Sequence, residues 1–396
     1  MTTGNNLRSR RTILMAGGAA VLLMSLSSAA LTQAPATYKF GLAMPLSGSQ
    51  ALYGADQVKA AQWAVDAINA KGGVNGNKVK LIVYDDGGDA NNARTFATRL
   101  IEEDDVFAMV GGTSTGSTLA MIPAFEEAHT PFISLAGAIQ IIDPVRKWVF
   151  KTPHTDRMAC EKIFADLNRR HLTTIAMISG TDGFGKSMRD QCVAVAPKAG
   201  ITIAHEESYG PRDSDMTPQL TNIKGTPGVQ AVVNPGFSQG PAIVTRNYRQ
   251  LGIALPFYQS HGVASKEYID LAGAAAEGVR LPAAALLVAD KLNPSDPQKP
   301  IVTNYARAYQ DKTGKAVSTF GGHAYDGLMI LVQAMQRAGA LDKAKVRDEI
   351  EKTKGYIGTG GVVNMTPTDH MGLDLTAFRM LEIKNGDWTL VVESGS

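Results

Sequence analysis

Asp66-Ala67-Ile68-Asn69-Ala70-Lys71-Gly72-Gly73-Val74-Asn75-Gly76, followed by Lys78 to Val83 and then Tyr84-Asp85-Asp86, decides the fold. The stretch reads as the end of an amphipathic helix, stopped by a Gly pair that can adopt positive φ. Asn75-Gly76 makes a tight turn, and the apolar run behind it is a buried strand ending in acidic residues. Helix, glycine stop, turn and strand in that order form the joint of a repeating α/β unit.

The unit recurs outward from there. Tyr38–Ala43, Val79–Tyr84, Val106–Val110 and Phe132–Leu135 read as strands, with helices at 55–70, 90–103 and 116–128. A second series places strands at Thr174–Ser179, Ile201–Glu206 and Gln230–Asn234, with helices at 184–198, 216–224 and 239–251. Phe257–Gln259 and Gly278–Pro282 are further strands, and helical patterns follow at 298–313, 322–338 and 342–353. Ala377–Ile383, Asn385-Gly386 and Trp388–Val392 make a β-hairpin. Two βα series predict an α/β chain with two doubly wound, Rossmann-like lobes, and the late return to helices predicts that the first lobe is completed last.

Residues 1–36 read as an export segment. Arg8, Arg10 and Arg11 form a charged start, and Ile13 to Leu26 is an uncharged apolar run, shorter than the roughly 20 residues a membrane span needs. Ser28-Ala29-Ala30 and Ala34-Pro35-Ala36 compete as cleavage sites, and Ser9-Arg10-Arg11-Thr12-Ile13-Leu14 fits either a twin-arginine or a general secretory signal. No Cys lies near the cleavage region, so a lipid anchor is not expected, and the mature chain should be free in a periplasm. Roughly 360 mature residues exceed one core and predict two domains. A formal charge of +2 that includes the three leader arginines leaves no basic field for nucleic acid. Cys160 and Cys192 fall in consecutive helices; export permits a disulfide, and two separate buried thiols fit the sequence equally well. His171, His205 and His261 lack metal-ligand spacing, and neither a metal nor a cofactor is expected.

Gly111-Gly112-Thr113-Ser114-Thr115-Gly116-Ser117 lies between a strand and a helix and carries three readings. Gly112 to Gly116 is literally G-x-S-x-G, the spacing of an esterase nucleophile elbow at Ser114, but no oxyanion loop precedes it. Amides at a helix N-terminus with Thr and Ser hydroxyls also make a carboxylate site. The hydroxyls could equally cap the helix.

The chain from Tyr38 to Val392 resembles the periplasmic binding proteins of branched-chain amino acid ABC transporters, carried by the N..GG..G…D joint quoted above. Met44-Pro45-Leu46-Ser47-Gly48, Thr181-Asp182-Gly183-Phe184-Gly185, Gly322-His323-Ala324-Tyr325-Asp326 and Asp369-His370-Met371-Gly372 match further family segments. The resemblance implies a type I periplasmic binding protein whose lobes are joined by a three-strand hinge. It implies crossings near Pro153, Pro282 and Gly360, hence lobe one as 37–153 plus 283–360 and lobe two as 154–282 plus 361–396. It implies a monomer that is no enzyme, closes on a small carboxylate and docks on a membrane permease. Thr113, Ser114 and Thr115, with Ala136, Gly137 and Ala138, should hold the carboxylate, and Tyr53, Phe184 and Phe237 should wall the ligand. The family's Cys pair is replaced together, by Ser114 and Gly88. Where amino acid binders carry a Glu for the ligand ammonium, this chain has His261, although Asp182 could substitute. A buried ammonium without an anionic partner costs several kcal/mol, so an aromatic or other organic acid is expected, with a branched-chain amino acid as the alternative.

Overall fold

The computed structural model describes Met1 and residues 37–391. The expected export segment and Val392 therefore lie outside the described residues. The quoted stretch folds as read. Helix α1 (Ala51–Ala70) ends at Gly72 and Gly73, with φ of 100° and 84°. Asn75 and Gly76 both take positive φ between Val74 and Asn77, which exchange two backbone hydrogen bonds, as a two-residue hairpin loop requires. Asn69 then brackets the following strand: its side chain accepts from Val79 N and donates to Val79 O, each at 2.8 Å. One asparagine thus sets the register of strand against helix.

The first sheet is parallel, in the order β2-β1-β3-β4-β5. Its strands are β1 (Thr37–Met44), β2 (Lys78–Asp85), β3 (Ala108–Gly111), β4 (Phe132–Ser134) and β5 (Val149–Lys151). Helices α2 (Ala90–Glu102) and α3 (Thr115–Glu127) complete its βα units. The chain then enters a second sheet through α4 (Asp156–Arg169), β6 (Thr174–Gly180), α5 (Gly183–Ala199) and β7 (Thr202–Tyr209). It continues through α6 (Thr217–Lys224), β8 (Ala231–Asn234), α7 (Gly240–Gln250), β9 (Phe257–Gln259), α8 (Lys266–Ala272) and β10 (Arg280–Ala284). It returns as α9 (Lys299–Thr313), α10 (Thr319–Ala338) and α11 (Lys343–Glu351), with α10 packed along α1. A short pair, β11 (Tyr356–Ile357) and β12 (Val362–Val363), leads to the terminal hairpin β13 (Phe378–Lys384) and β14 (Asp387–Leu390). That hairpin joins the second sheet antiparallel to β10, giving the order β14-β13-β10-β9-β8-β6-β7. The protein is an α/β molecule of two lobes.

Several elements differ from the sequence reading for local reasons. Helix α10 begins at Thr319 rather than 322, because Ser318 caps it by accepting from Gly321 N and so carries two glycines into the first turn. Helix α1 begins at Ala51 rather than 55, continuing a short turn over Gly48–Gln50. Strand β7 runs on to Tyr209 instead of ending at Glu206; as an edge strand it exposes every second residue up to Ser208. Strand β5, helix α8 and the β11–β12 pair are too short to register as periodic segments.

Covalent and polar ties hold each lobe together. Cys160 on α4 and Cys192 on α5 are disulfide-bonded, with Cα atoms 5.1 Å apart, which decides between the two readings of the pair. Buried Asp166 on α4 accepts from Tyr258 on β9 at 2.7 Å and from Arg280 on β10 at 3.0 Å. His370 is spanned by Val149 O at 2.8 Å and Glu351 Oε1 at 3.0 Å, so the Asp369–Gly372 turn is structural. Among the described residues no helix is long and apolar enough to cross a membrane.

A Cβ built on Gly73 would stand 1.9 Å from the Asn77 carbonyl, and its φ is in the left-handed region. Gly73→Ala should therefore cost more than the roughly 1 kcal/mol of an ordinary left-handed position and lower the melting temperature by several degrees. Gly76→Ala, where a Cβ meets nothing within 4 Å, should cost less in the same melting curves.

Candidate functional site

The C-terminal ends of the parallel strands of both sheets face each other across a cavity, where open α/β sheets place their ligand sites. The space there that is free of atoms, counted together with the solvent at its mouth, is about 490 Å³. Lobe one contributes Thr113 and Thr115 from the β3–α3 turn, Leu135 and Gly137 after β4, and Thr319, Phe320 and His323 from α10. Lobe two contributes Phe184, Phe237, His261, Gly262 and Ala264. The back wall is Pro153-His154, Ala283-Ala284 and Phe378, on the segments that pass between the sheets.

Thr113, Thr115, Gly137, Phe184, Phe237 and His261 thus come together as the sequence expects. Tyr53 stands one ring behind the lining. It stacks on Phe320 at 4.2 Å, meets Phe237 at 5.3 Å and donates to Ser238 O at 3.3 Å. Ser114, Ala136 and Ala138 do not line the cavity. The Ser114 hydroxyl caps α3 by accepting from Ser117 N at 3.1 Å, so the capping reading of that serine is the one the structure adopts. Ala136 N donates to Ser134 Oγ at 3.1 Å, and Ala138 leads into a turn over Ile139–Ile141. Asp182 is likewise occupied: its carboxylate caps α5, accepting from Phe184 N at 2.9 Å and Gly185 N at 3.2 Å. It borders a separate outer cavity with Arg212 and Gln50.

The site also holds residues that sequence reasoning missed: His154, His323, Thr319, Phe320 and Phe378. His323 lies in a quoted segment, and its place in the pocket could have been drawn from that match. The rest stand at helix starts or between-sheet segments, where periodicity carries no signal.

Rings run continuously around the cavity. Phe184 meets Phe237 at 6.0 Å and His261 at 5.3 Å; His261 meets Phe378 at 5.4 Å, and Phe378 stacks on His154 at 3.9 Å. His154 meets His323 at 5.7 Å. A Cβ on Gly137 would stand 2.8 Å from Phe184 and 2.9 Å from His261 Nε2, so any side chain there would push into this wall.

Polar atoms remain available in this apolar ring. Thr113 is spent, donating to Gln57 Oε1 at 2.5 Å. Thr115 Oγ1, His154 Nε2, both ring nitrogens of His261 and His323 Nδ1 are buried without a hydrogen-bond partner. Thr115 and Gly116 open α3, where first-turn amides have no acceptor within the helix. Burial above all, with the charge of nearby Lys151, lowers His261 and His323 to about 3 and His154 well below its usual range. All three are neutral imidazoles at physiological pH, each with one donor and one acceptor nitrogen. No lining residue is acidic. The site is built to bind by hydrogen bonds and ring contacts.

The lobes touch across the mouth. Ser238 Oγ donates to Ser49 O at 3.1 Å, and Thr319 Oγ1 donates to Ala264 O at 3.0 Å. The arrangement is a closed one.

A family model described as "Periplasmic binding protein" matches residues 37–387. The chain is 27% identical over 367 residues, covering 91% of each protein, to the leucine-, isoleucine-, valine-, threonine- and alanine-binding protein of Pseudomonas aeruginosa. It is 26% identical over 306 residues, 76% of this chain and 79% of the other, to Leu/Ile/Val-binding protein homolog 3 of Brucella melitensis. Among solved structures, an extracellular ligand-binding receptor from Rhodopseudomonas palustris HaA2 superposes with a TM-score of 0.84 at 28% identity, covering 91% of this chain and 100% of that one.

Buried neutral histidines fix the sign of an acid response. The unfolded chain takes up protons near pH 6.5, while His261 and His323 resist until about pH 3. The part of the stability that depends on these histidines should be complete above pH 6.5 and fall as pH drops from there towards 3, by about 1.4 kcal/mol per histidine per unit. Denaturant titrations between pH 7 and 5 should give that slope, and His261→Gln should make it shallower.

Proposed function

This chain belongs to the periplasmic binding protein family, and we propose that it is the extracytoplasmic solute-binding component of an ABC importer. It captures one small carboxylate between its lobes, as a monomer, and presents the closed form to a membrane permease. The observation that carries this reading is the cavity at the facing sheet ends, lined by both lobes. There the α3 N-terminus, the Thr115 hydroxyl and the Gly137 turn offer donors to an anion, and rings offer apolar contact. The bodies that move against each other are residues 37–153 with 283–360, and 154–282 with the β13–β14 hairpin; the Asp369–Gly372 turn, expected in the second body, is fastened to the first through Val149 and Glu351. Binding stabilises the closed population rather than creating it. Esterase chemistry has little support, because the Ser114 hydroxyl is engaged as a helix cap.

For the ligand, the relatives' names favour an aliphatic amino acid, the alternative reading of the sequence. The expected preference for an aromatic acid has no counterpart in those names. A second reading, a carboxylate without an ammonium, keeps one specific support. The lining holds no acidic residue and Asp182 is committed to α5, so an ammonium would find only neutral acceptors.

Matched pairs separate the two. Melting curves of the protein from Thr37 onward should be recorded with L-leucine and 4-methylpentanoate, and with L-phenylalanine and 3-phenylpropanoate. A true ligand at 100 times its Kd should stabilise by about 2.7 kcal/mol. A shift with the amino acid of a pair supports the first reading, and one with its deamino partner the second. No shift with any carboxylate would sink the proposed function.

A further inference from the structure

Lys151 ends β5 behind the cavity lining, with no exposed surface. Its ammonium donates to Gly137 O at 3.1 Å and His154 O at 3.2 Å, and both of those residues line the cavity. It makes no ion pair among the described residues. The acid whose charge acts on it, Asp156 on α4, is committed elsewhere: Ile139 N and Arg157 N donate to one oxygen, each at 2.9 Å, and the Ser187 hydroxyl to the other. The remaining titratable groups around it are His154, His261 and His323, and each is pushed towards its neutral form partly by Lys151 itself. A buried ammonium without a paired anion is costly. Chains remove such a charge unless something supplies its partner.

We infer that the partner is the ligand: Lys151 is the counter-charge of the bound carboxylate, lying one layer of backbone beneath it, so that capture is selective for an anion and linked to a proton. The inference rests on the cavity being the ligand site, and holds for an amino acid and for a simple organic acid alike. In the empty protein, burial lowers the Lys151 ammonium to about 7, with Asp156 opposing. An anion above Gly137 raises it again. Above neutrality, binding therefore takes up a proton onto Lys151 Nζ, and affinity falls as pH rises. Lys151 lies behind the Gly137 and His154 backbone and acts on the ligand by its charge without touching it, so it is a positioning residue.

The alternative is that Lys151 merely ties two loops, and pH separates the roles. Calorimetry with L-leucine or 4-methylpentanoate, whichever binds, should be run at pH 8 in buffers of different ionisation enthalpy. We expect uptake approaching one proton per ligand, and a loss of affinity of up to tenfold per unit between pH 7.5 and 8.5. Lys151→Met should bind at least tenfold more weakly at pH 6.5, with neither uptake nor pH dependence. Should that variant fail to fold, the wild-type uptake alone decides. Binding with no uptake and a flat profile from pH 6 to 8.5 would leave Lys151 a structural tie and overturn the inference while the proposed function stands. Binding by none of the carboxylates would overturn both.

Discussion

Asp326 is the carboxylate on which the site's geometry turns. Buried on α10, it accepts from Tyr356 OH at 3.1 Å, Thr359 N at 3.0 Å, Thr359 Oγ1 at 2.9 Å and Gly360 N at 2.9 Å. Burial raises its pKa and the four bonds oppose that rise. They fasten α10 to the stretch by which the chain leaves lobe one. A Cβ at Gly358 would stand 2.7 Å from the carboxylate, which is why the wrapping segment is glycine-rich. One turn earlier, His323 reaches the cavity, while the same helix packs along α1. Pocket wall and lobe core are thus one rigid object, and neither can shift without the other.

The closed arrangement follows from how that object meets lobe two. Tyr53 and Phe320 stack within lobe one, and Phe237 closes on them from lobe two. Ser238 secures the contact from a backbone conformation with φ of 69°, unusual for a residue with a side chain. The contacts between lobes are a few hydrogen bonds and ring edges, each of modest net value. Such an interface can open, and a ligand that fills the cavity adds to it what the lobes alone lack.

The frame was legible because it rests on short-range chemistry. The Gly72–Gly76 stop and turn, the βα alternation and the Asn385-Gly386 hairpin all follow from backbone preferences of residues close in sequence. The β3–α3 turn was legible as a donor cluster, although only Thr115 of its hydroxyls faces the cavity free. Ser114 looked equally suited and is taken by Ser117 N, a choice set by one rotamer that no spacing reveals. Lys151 reads in sequence as an ordinary lysine on a strand end. His154 and Phe378 meet at 3.9 Å across a separation that only the completed topology closes. What escaped the sequence is therefore what long-range crossings assemble, and that is where the ligand-class information sits.

Those crossings also impose an order of emergence. The lobe that leads the chain out is sealed by α10, which follows the whole body of the second lobe in sequence. Until then the side of α1 that packs along α10 is uncovered. Non-local closure of this kind is slow, and the waiting surface is open to wrong partners. A chain cut after Ala284 would keep most of its second sheet and lose the lobe with which it began. In synthesis from the N-terminus the hazardous interval belongs to the oldest residues, and a holding chaperone would find its client there.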